Sequence, residues 1–153
     1  MSTATTSRNS AAQQRALKLF VVLQRCAAAV SGNVQRNVVF EDLSETEFGI
    51  LEALYHKGPL LLGDVQKKIL LSSGGVTYAV DRLAEKGLVE RRECASDRRA
   101  RYAALTAKGA ELMDRIFPSH AEAIEQVMGT LSAREQDQAI ELLRKLGLKA
   151  AAK

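Results

Sequence analysis

Apolar residues fall at helical spacing through most of this chain, and the spacing changes only between about residues 89 and 105. In residues 11–37 one stripe runs through Leu17, Phe20, Leu23, Ala27, Val30 and Val34, and a second through Leu19, Val22, Cys26 and Ala29. A helix apolar over so much of its circumference has to be covered on more than one side. In a chain this short the predicted cover is a second copy. Residues 43–58 carry the best-marked element: Ser44 and Glu47 have capping-box spacing, Leu43 and Phe48 the spacing of a hydrophobic staple, and Gly58-Pro59 a stop. Residues 62–69 form a short helix. In the next, capped by Ser72 or Ser73, Val76, Val80 and Leu83 make one stripe, and Gly87 ends it at a left-handed position with Leu88 packing back on Leu83.

Strands follow at about residues 89–94 and 99–105, joined by a turn at residues 95–97. Thr106 then caps a helix that carries Ala110, Met113, Ile116 or Phe117, His120, Ile124 and Val127. Pro118 falls inside it and is expected to bend or split it, because proline deletes a backbone hydrogen bond. Gly129-Thr130 ends that helix, and Ser132 with Glu135 opens a last one through Leu142, Leu143 and Leu146 to Gly147. Residues 1–10 are small and polar and are expected to be disordered. The predicted fold is mainly α with a small β wing, a winged helix-turn-helix in an intertwined homodimer. Residues 43–105 are expected to form a lobe of their own, and residues 11–37 and 106–148 the dimerisation helices.

The helix ending at Gly87 turns outward Ser73, Gly74, Thr77, Tyr78, Asp81 and Arg82, with Ser72 at its start. Short polar side chains let a helix sit deep in a major groove and offer hydroxyls to phosphates or base edges. An ordinary solvated face has the same composition. The hairpin shifts the balance: residues 91–101 hold five Arg (91, 92, 98, 99 and 101) against Glu93 and Asp97. A basic ribbon after a capped helix can lay guanidinium groups along a backbone or into a narrow minor groove. Helix and ribbon together point to double-stranded DNA.

At 153 residues, 46% hydrophobic and 26% charged, the chain is one globular domain with a core of its own. Its net charge of +4 suits an anionic partner. The uneven placing of charge says more, since the first 40 residues contain five bases and no acid. Two cysteines far apart fit a reducing compartment. The uninterrupted apolar runs are short and no signal segment opens the chain, so a cytoplasmic protein without a membrane partner is expected.

These residues carry a family resemblance. The run from Leu43 to Gly109 resembles the MarR family of bacterial transcription regulators: a helix-turn-helix, a boundary from Leu83 to Val89, a wing with Asp97-Arg98-Arg99, and a closing Leu105-Thr106-Ala107-Lys108-Gly109. Residues 17–23, Thr46-Glu47-Phe48, residues 54–58, Lys68-Ile69-Leu70 and Ile116-Phe117-Pro118 with His120 look like the family's MhqR-like branch, repressors that respond to quinones and hydroquinones. The resemblance implies a homodimer on a pseudo-palindromic operator. It also implies that Arg99 enters the minor groove while Asp97 braces the wing, with Arg98 and Arg101 beside them.

A family switch pocket is implied between the dimer-forming helices and the DNA-reading lobe. Phe20, Phe48, Tyr55, His56, Met113 and Phe117 are its candidates, because Tyr and His can hydrogen-bond a phenol or quinone oxygen while Phe and Met stack on its ring. Apolar stripes at helical spacing are also ordinary core. Peroxide-sensing relatives use a cysteine in the first helix, where this chain has Phe20. Cys26 reads as a small buried hydrophobe. Cys94, near Arg91, Arg92 and Arg98, is the candidate for a thiolate that a quinone could alkylate. His56 and His120 have no companion at metal-ligand spacing, so neither a metal nor a cofactor is expected. No phosphate loop, dinucleotide turn or nucleophile elbow occurs, and catalysis is not expected. Three readings remain: a repressor released by an aromatic or quinone-like compound, a thiol switch at Cys94 or Cys26, and an architectural DNA-binding protein without a ligand.

Overall fold

Two capping boxes and two glycine stops, Gly58 and Gly87, frame the fold. The structure, a computed structural model, describes residues 9–37, 41–69, 73–97 and 99–152. Its elements in order are α1 (Ala11–Asn37), α2 (Glu45–Lys57), β1 (Leu60–Leu61), α3 (Leu62–Ile69), α4 (Ser73–Glu85), β2 (Val89–Glu93), β3 (Arg101–Leu105), α5 (Ala107–Met128) and α6 (Ala133–Ala151). At the start of α2 the Ser44 hydroxyl accepts from the Glu47 amide and the Glu47 carboxylate from the Ser44 amide; Ser132 and Glu135 repeat the arrangement before α6. Each box satisfies two of the donors that a helix start leaves open.

The residues divide into two compact units, one holding everything up to Asn37 together with the chain from Ile124 on, the other residues 38–123. In the second unit α3 and α4 make the helix-turn-helix, and the strands form an antiparallel sheet of order β1-β3-β2. Val89 pairs with Leu105 and Glu93 with Arg101, while Leu60 pairs with Ala103. The two-residue β1 was not foreseen, being too short to show a period. The wing strands are shorter than the sequence suggested, ending at Glu93 and starting at Arg101.

The core of this unit brings together Ile50, Leu51 and Leu54 of α2, Val65 of α3, Val76, Val80 and Leu83 of α4, and Leu112, Met113 and Ile116 of α5. Burying side chains of this size stabilises the fold by about 1.5–3 kcal/mol each. α4 therefore packs on a single apolar cluster that α2, α3 and α5 share.

In the other unit many large apolar side chains stay exposed. Among them are Leu17, Leu19, Phe20, Val21 and Val22 on α1, and Ile140, Leu142, Leu143, Leu146 and Leu148 on α6. Within Ala11–Arg36 an 18-residue window has a mean hydropathy of 1.2, long and apolar enough by composition to cross a bilayer. The uninterrupted apolar runs are short, so this composition shows only over the longer window. A helix covered on several sides by protein has the same composition.

Of the bend or split expected at Pro118 the split does not occur, since Pro118 lies inside a continuous α5. Two further expectations are corrected. Gly147 does not end α6, which runs on to Ala151; a helical glycine costs only about 1 kcal/mol relative to alanine. Cys26, read as buried, is exposed on α1.

Candidate nucleic-acid interface

Helix α4 is fixed at its C-terminal end by the stop its sequence suggested. Gly87 adopts φ +71°, its amide donates to the Ala84 carbonyl, and the Leu88 amide donates to the Leu83 carbonyl at 3.0 Å. These are the paired bonds of a Schellman ending, which a left-handed glycine permits at no steric cost. Val76, Ala79, Val80 and Leu83 are buried, leaving Thr77, Tyr78, Asp81 and Arg82 outside. Tyr78 is 67% exposed, an unusual place for so large an aromatic side chain. Ser73 and Gly74 are described only as the first residues of α4. Ser72 and Arg98 lie outside the described residues.

Two ion pairs that the sequence did not reveal tie α4 and the residue just after it to other elements. The Arg91 guanidinium on β2 donates to the Asp81 carboxylate. Lys86 Nζ donates to Glu47 Oε1 at 3.0 Å, and Arg82 Nε stands 4.0 Å from the same oxygen. Burial works to raise the Glu47 carboxyl, but the Ser44 amide and the Lys86 ammonium outweigh it and hold the group below the usual carboxylate range. The Ser44-x-x-Glu47 spacing signalled the cap, whereas the pairing with Lys86, 39 residues on, had no local signal.

In the wing, Asp97 Oδ1 accepts from the Arg99 amide at 2.9 Å, and the Asp97 carbonyl accepts from the Ala100 amide at 3.1 Å. This side-chain turn sets the tip geometry. Arg92 pairs with Glu90 at 2.6 Å and Arg101 with Glu93 at 3.5 Å, both on the surface. Surface pairs contribute about 0–1 kcal/mol, little enough for a phosphate to displace the acid. Arg99 is exposed.

An open cavity of about 570 Å³ lies between the start of α2 and the outer side of α4, with Asp42, Ser44, Glu47, Gly75, Tyr78 and Arg82 in its wall. None of the expected ligand residues lines it. Four of those gather elsewhere in the same unit. The Phe48 ring lies 4.6 Å from that of His120, and Phe117 lies 4.7 Å from His56 and 5.6 Å from Tyr55. Tyr55 Oη donates to Asp114 Oδ1 at 2.7 Å. His120, which the ligand candidates did not include, links the two halves at 5.9 Å from Phe117. Burial pushes its imidazole below the ordinary value, partly opposed by Glu52 at 3.9 Å from Nε2. Met113 is fully buried in the core, and Phe20 belongs to the other unit, where it is 58% exposed.

Cys94 is half-buried at the end of β2, its Sγ 3.1 Å from Ser96 Oγ. Its thiol is lowered chiefly by the Ser96 hydroxyl, then by the Ser96 and Asp97 amides. The largest cause is a hydrogen bond, not the neighbouring arginines that the sequence suggested.

Residues 41–100 match the family model described as "MarR family". The HTH-type transcriptional regulator MhqR of Bacillus subtilis (strain 168) is 40% identical over 137 residues, which are 90% of this chain and 94% of that protein. Among solved structures, the MarR family regulator Sco3205 of Streptomyces coelicolor, in complex with DNA, superposes with a TM-score of 0.77 at 24% identity over 95% of each chain. BpsR of Bordetella bronchiseptica, whose DNA binding is regulated by 6-hydroxynicotinic acid, gives 0.75 at 25% identity, covering 85% of this chain and 98% of that one.

Proposed function

The chain belongs to the MarR family of DNA-binding transcription regulators, and on that footing we propose that it is a repressor, released from a near-palindromic operator by a small aromatic or quinone-like compound. The observation that carries this reading is the braced α4, with Thr77, Tyr78 and Arg82 exposed beside a wing whose tip is ordered by Asp97. Thr77, Tyr78 and Arg82, with Ser72, Ser73 and Gly74, read the major groove, and Arg99 enters the minor groove flanked by Arg98 and Arg101. The protein works as a homodimer in the cytoplasm. A second copy covers the exposed apolar faces of α1 and α6 and sets two reading helices about one DNA turn apart.

The effector meets Tyr55, His56 and Phe117, with Phe48 behind them. These side chains stand on α2 and α5, so a ring wedged among them would move α2 against α5. Because Glu47 ties the start of α2 to Lys86 just past α4, that movement reaches the reading helix. An aromatic acid regulates DNA binding by BpsR, which supports an aromatic effector for this fold. The resemblance to the MhqR-like branch supports a quinone or hydroquinone.

A second reading has one observation in its favour: the hydrogen-bonded thiol of Cys94 in the wing is more acidic than an ordinary cysteine. A thiolate there would add to a quinone ring and alter the wing directly. The experiment that tests the proposal compares operator release by methylhydroquinone and by its quinone in three proteins: the wild type, a Cys26→Ser/Cys94→Ser variant and His56→Ala. Release retained in the cysteine-free protein, and weakened in His56→Ala at unchanged operator affinity, supports the pocket. Loss of release only in the cysteine-free protein rejects it in favour of the thiol.

A further inference from the structure

The geometry points to Glu47 as a positioning residue for DNA reading: its buried carboxylate joins the start of α2 to the end of α4 and sets where the Arg82 guanidinium stands. This inference rests on the reading of α4 as the helix that enters the groove. One carboxylate oxygen, Oε2, accepts from the Ser44 amide at 2.7 Å and completes the cap. The other, Oε1, accepts from Lys86 Nζ at 3.0 Å and stands 4.0 Å from Arg82 Nε. Lys86 is itself fixed, since Nζ also donates to the Asp42 carbonyl at 2.9 Å.

The side chain of Glu47 is 6% exposed and that of Arg82 47% exposed, so a buried and oriented negative charge faces a cation that reaches solvent on the reading helix. A cap at this position needs only a hydrogen-bond acceptor, and Gln would serve as well. Burying a full charge is costly beyond what capping requires, and what it adds is an attraction acting on Lys86 and Arg82. A guanidinium attracted on its Nε side, here across 4.0 Å, keeps its terminal nitrogens for a bidentate contact to a base edge or a phosphate. Without the carboxylate, Arg82 would range over neighbouring phosphates. Contact with DNA would persist while register was lost.

The test is a double-mutant cycle between Glu47→Gln and Arg82→Ala at fixed salt. It reads the ratio of affinities for a duplex that the wild-type protein has selected from a random pool and for the same bases scrambled. Glu47→Gln is expected to lower the ratio about tenfold, the size of a lost bidentate contact. Binding to the scrambled duplex stays equal or tightens, because a negative charge has gone. In the Arg82→Ala background the same substitution is expected to leave the ratio unchanged. An equal fall in both backgrounds would mean that Glu47 acts only through the fold, and overturns the inference. If circular dichroism shows that Glu47→Gln does not fold, Lys86→Met takes its place: it turns the carboxylate onto Arg82, and the ratio again falls only where Arg82 is present. An unchanged ratio in that variant overturns the inference. A wild-type protein that enriches no sequence removes the premise of groove reading, and the inference falls with it. A ratio lowered by Arg82→Ala and untouched by Glu47→Gln removes the inference alone.

Discussion

A Cβ placed on Gly109 would stand 2.1 Å from the carbonyl oxygen of Leu88. That oxygen also accepts from the Thr106 amide at 3.1 Å, and Thr106 Oγ1 both donates to the Gly87 carbonyl at 2.6 Å and caps α5 by accepting from the Gly109 amide. The Leu-Thr-x-x-Gly signature is thus a joint between the stop of α4 and the start of α5. Gly109→Ala gains helix propensity but forces backbone against backbone. The expected net loss is about 2 kcal/mol, within the range for overpacking, seen as a lower midpoint in urea or heat unfolding. A variant as stable as the wild type would show that the joint can open without cost.

His120 makes the fold acid-sensitive in a defined window. Its folded pKa lies below the ordinary 6.5 because burial opposes the charged ring. The folded state therefore binds fewer protons than the unfolded chain, and stability is complete above about pH 6.5 and declines as pH falls toward the depressed value. His120→Phe keeps a ring against Phe48 and Phe117 while removing the titration. Unfolding midpoints between pH 7.5 and about pH 5 should slope in the wild type and flatten in the variant. Equal slopes would exclude His120 as the cause. Glu47 acts in a separate range: its carboxyl lies below 4.5, so its contribution is present above that value and lost in stronger acid.

Removing the wing contact should change binding without changing the fold. Arg99 is exposed, so Arg99→Ala should leave thermal stability within about 0.5 kcal/mol. Operator affinity should fall about tenfold or more, and the slope of log affinity against log salt should shrink by about one. Asp97→Ala, which frees the Arg99 amide, should lower affinity with little change in that slope, because no cation is lost. A salt slope reduced equally by both substitutions would mean that Asp97 does not act by ordering the tip.

The apolar face of α6 predicts the quaternary state. Leu142 is 66% exposed and Leu143 52% exposed in the single chain. Placing Glu at Leu143 and Leu146 should yield a monomer by sedimentation, with the second unit still folded and operator binding lost, since two half-sites need two linked reading helices. A double variant that remains dimeric would move the interface elsewhere.

Local chemistry was legible in the sequence, and tertiary coupling was not. Ser44 with Glu47, Ser132 with Glu135 and the Gly87 stop were readable because capping acts over three or four residues. The Glu47–Lys86 and Asp81–Arg91 pairs were invisible, since a charge in a polar pattern does not declare its partner. Gly147 was overread as a stop because propensity was weighed without the rest of the helix around it. Four of the six residues expected to meet a ligand stand in one aromatic cluster, and His120, weighed in the sequence only as a metal ligand, joins them. Cys26 was judged by its stripe on α1, whose apolar residues stand exposed in the single chain.

The central claim is sequence-selective DNA binding that a small aromatic compound reverses. Fluorescence anisotropy tests it most directly, with the protein reduced and salt fixed, on a duplex from just upstream of its own gene and on the same bases scrambled, each with and without a methylhydroquinone or its quinone. The account predicts binding to the first duplex tighter than to the second by about a thousandfold or more, abolished when the compound is added. Equal affinity for the two duplexes, or selective binding that ignores the compound, would contradict it.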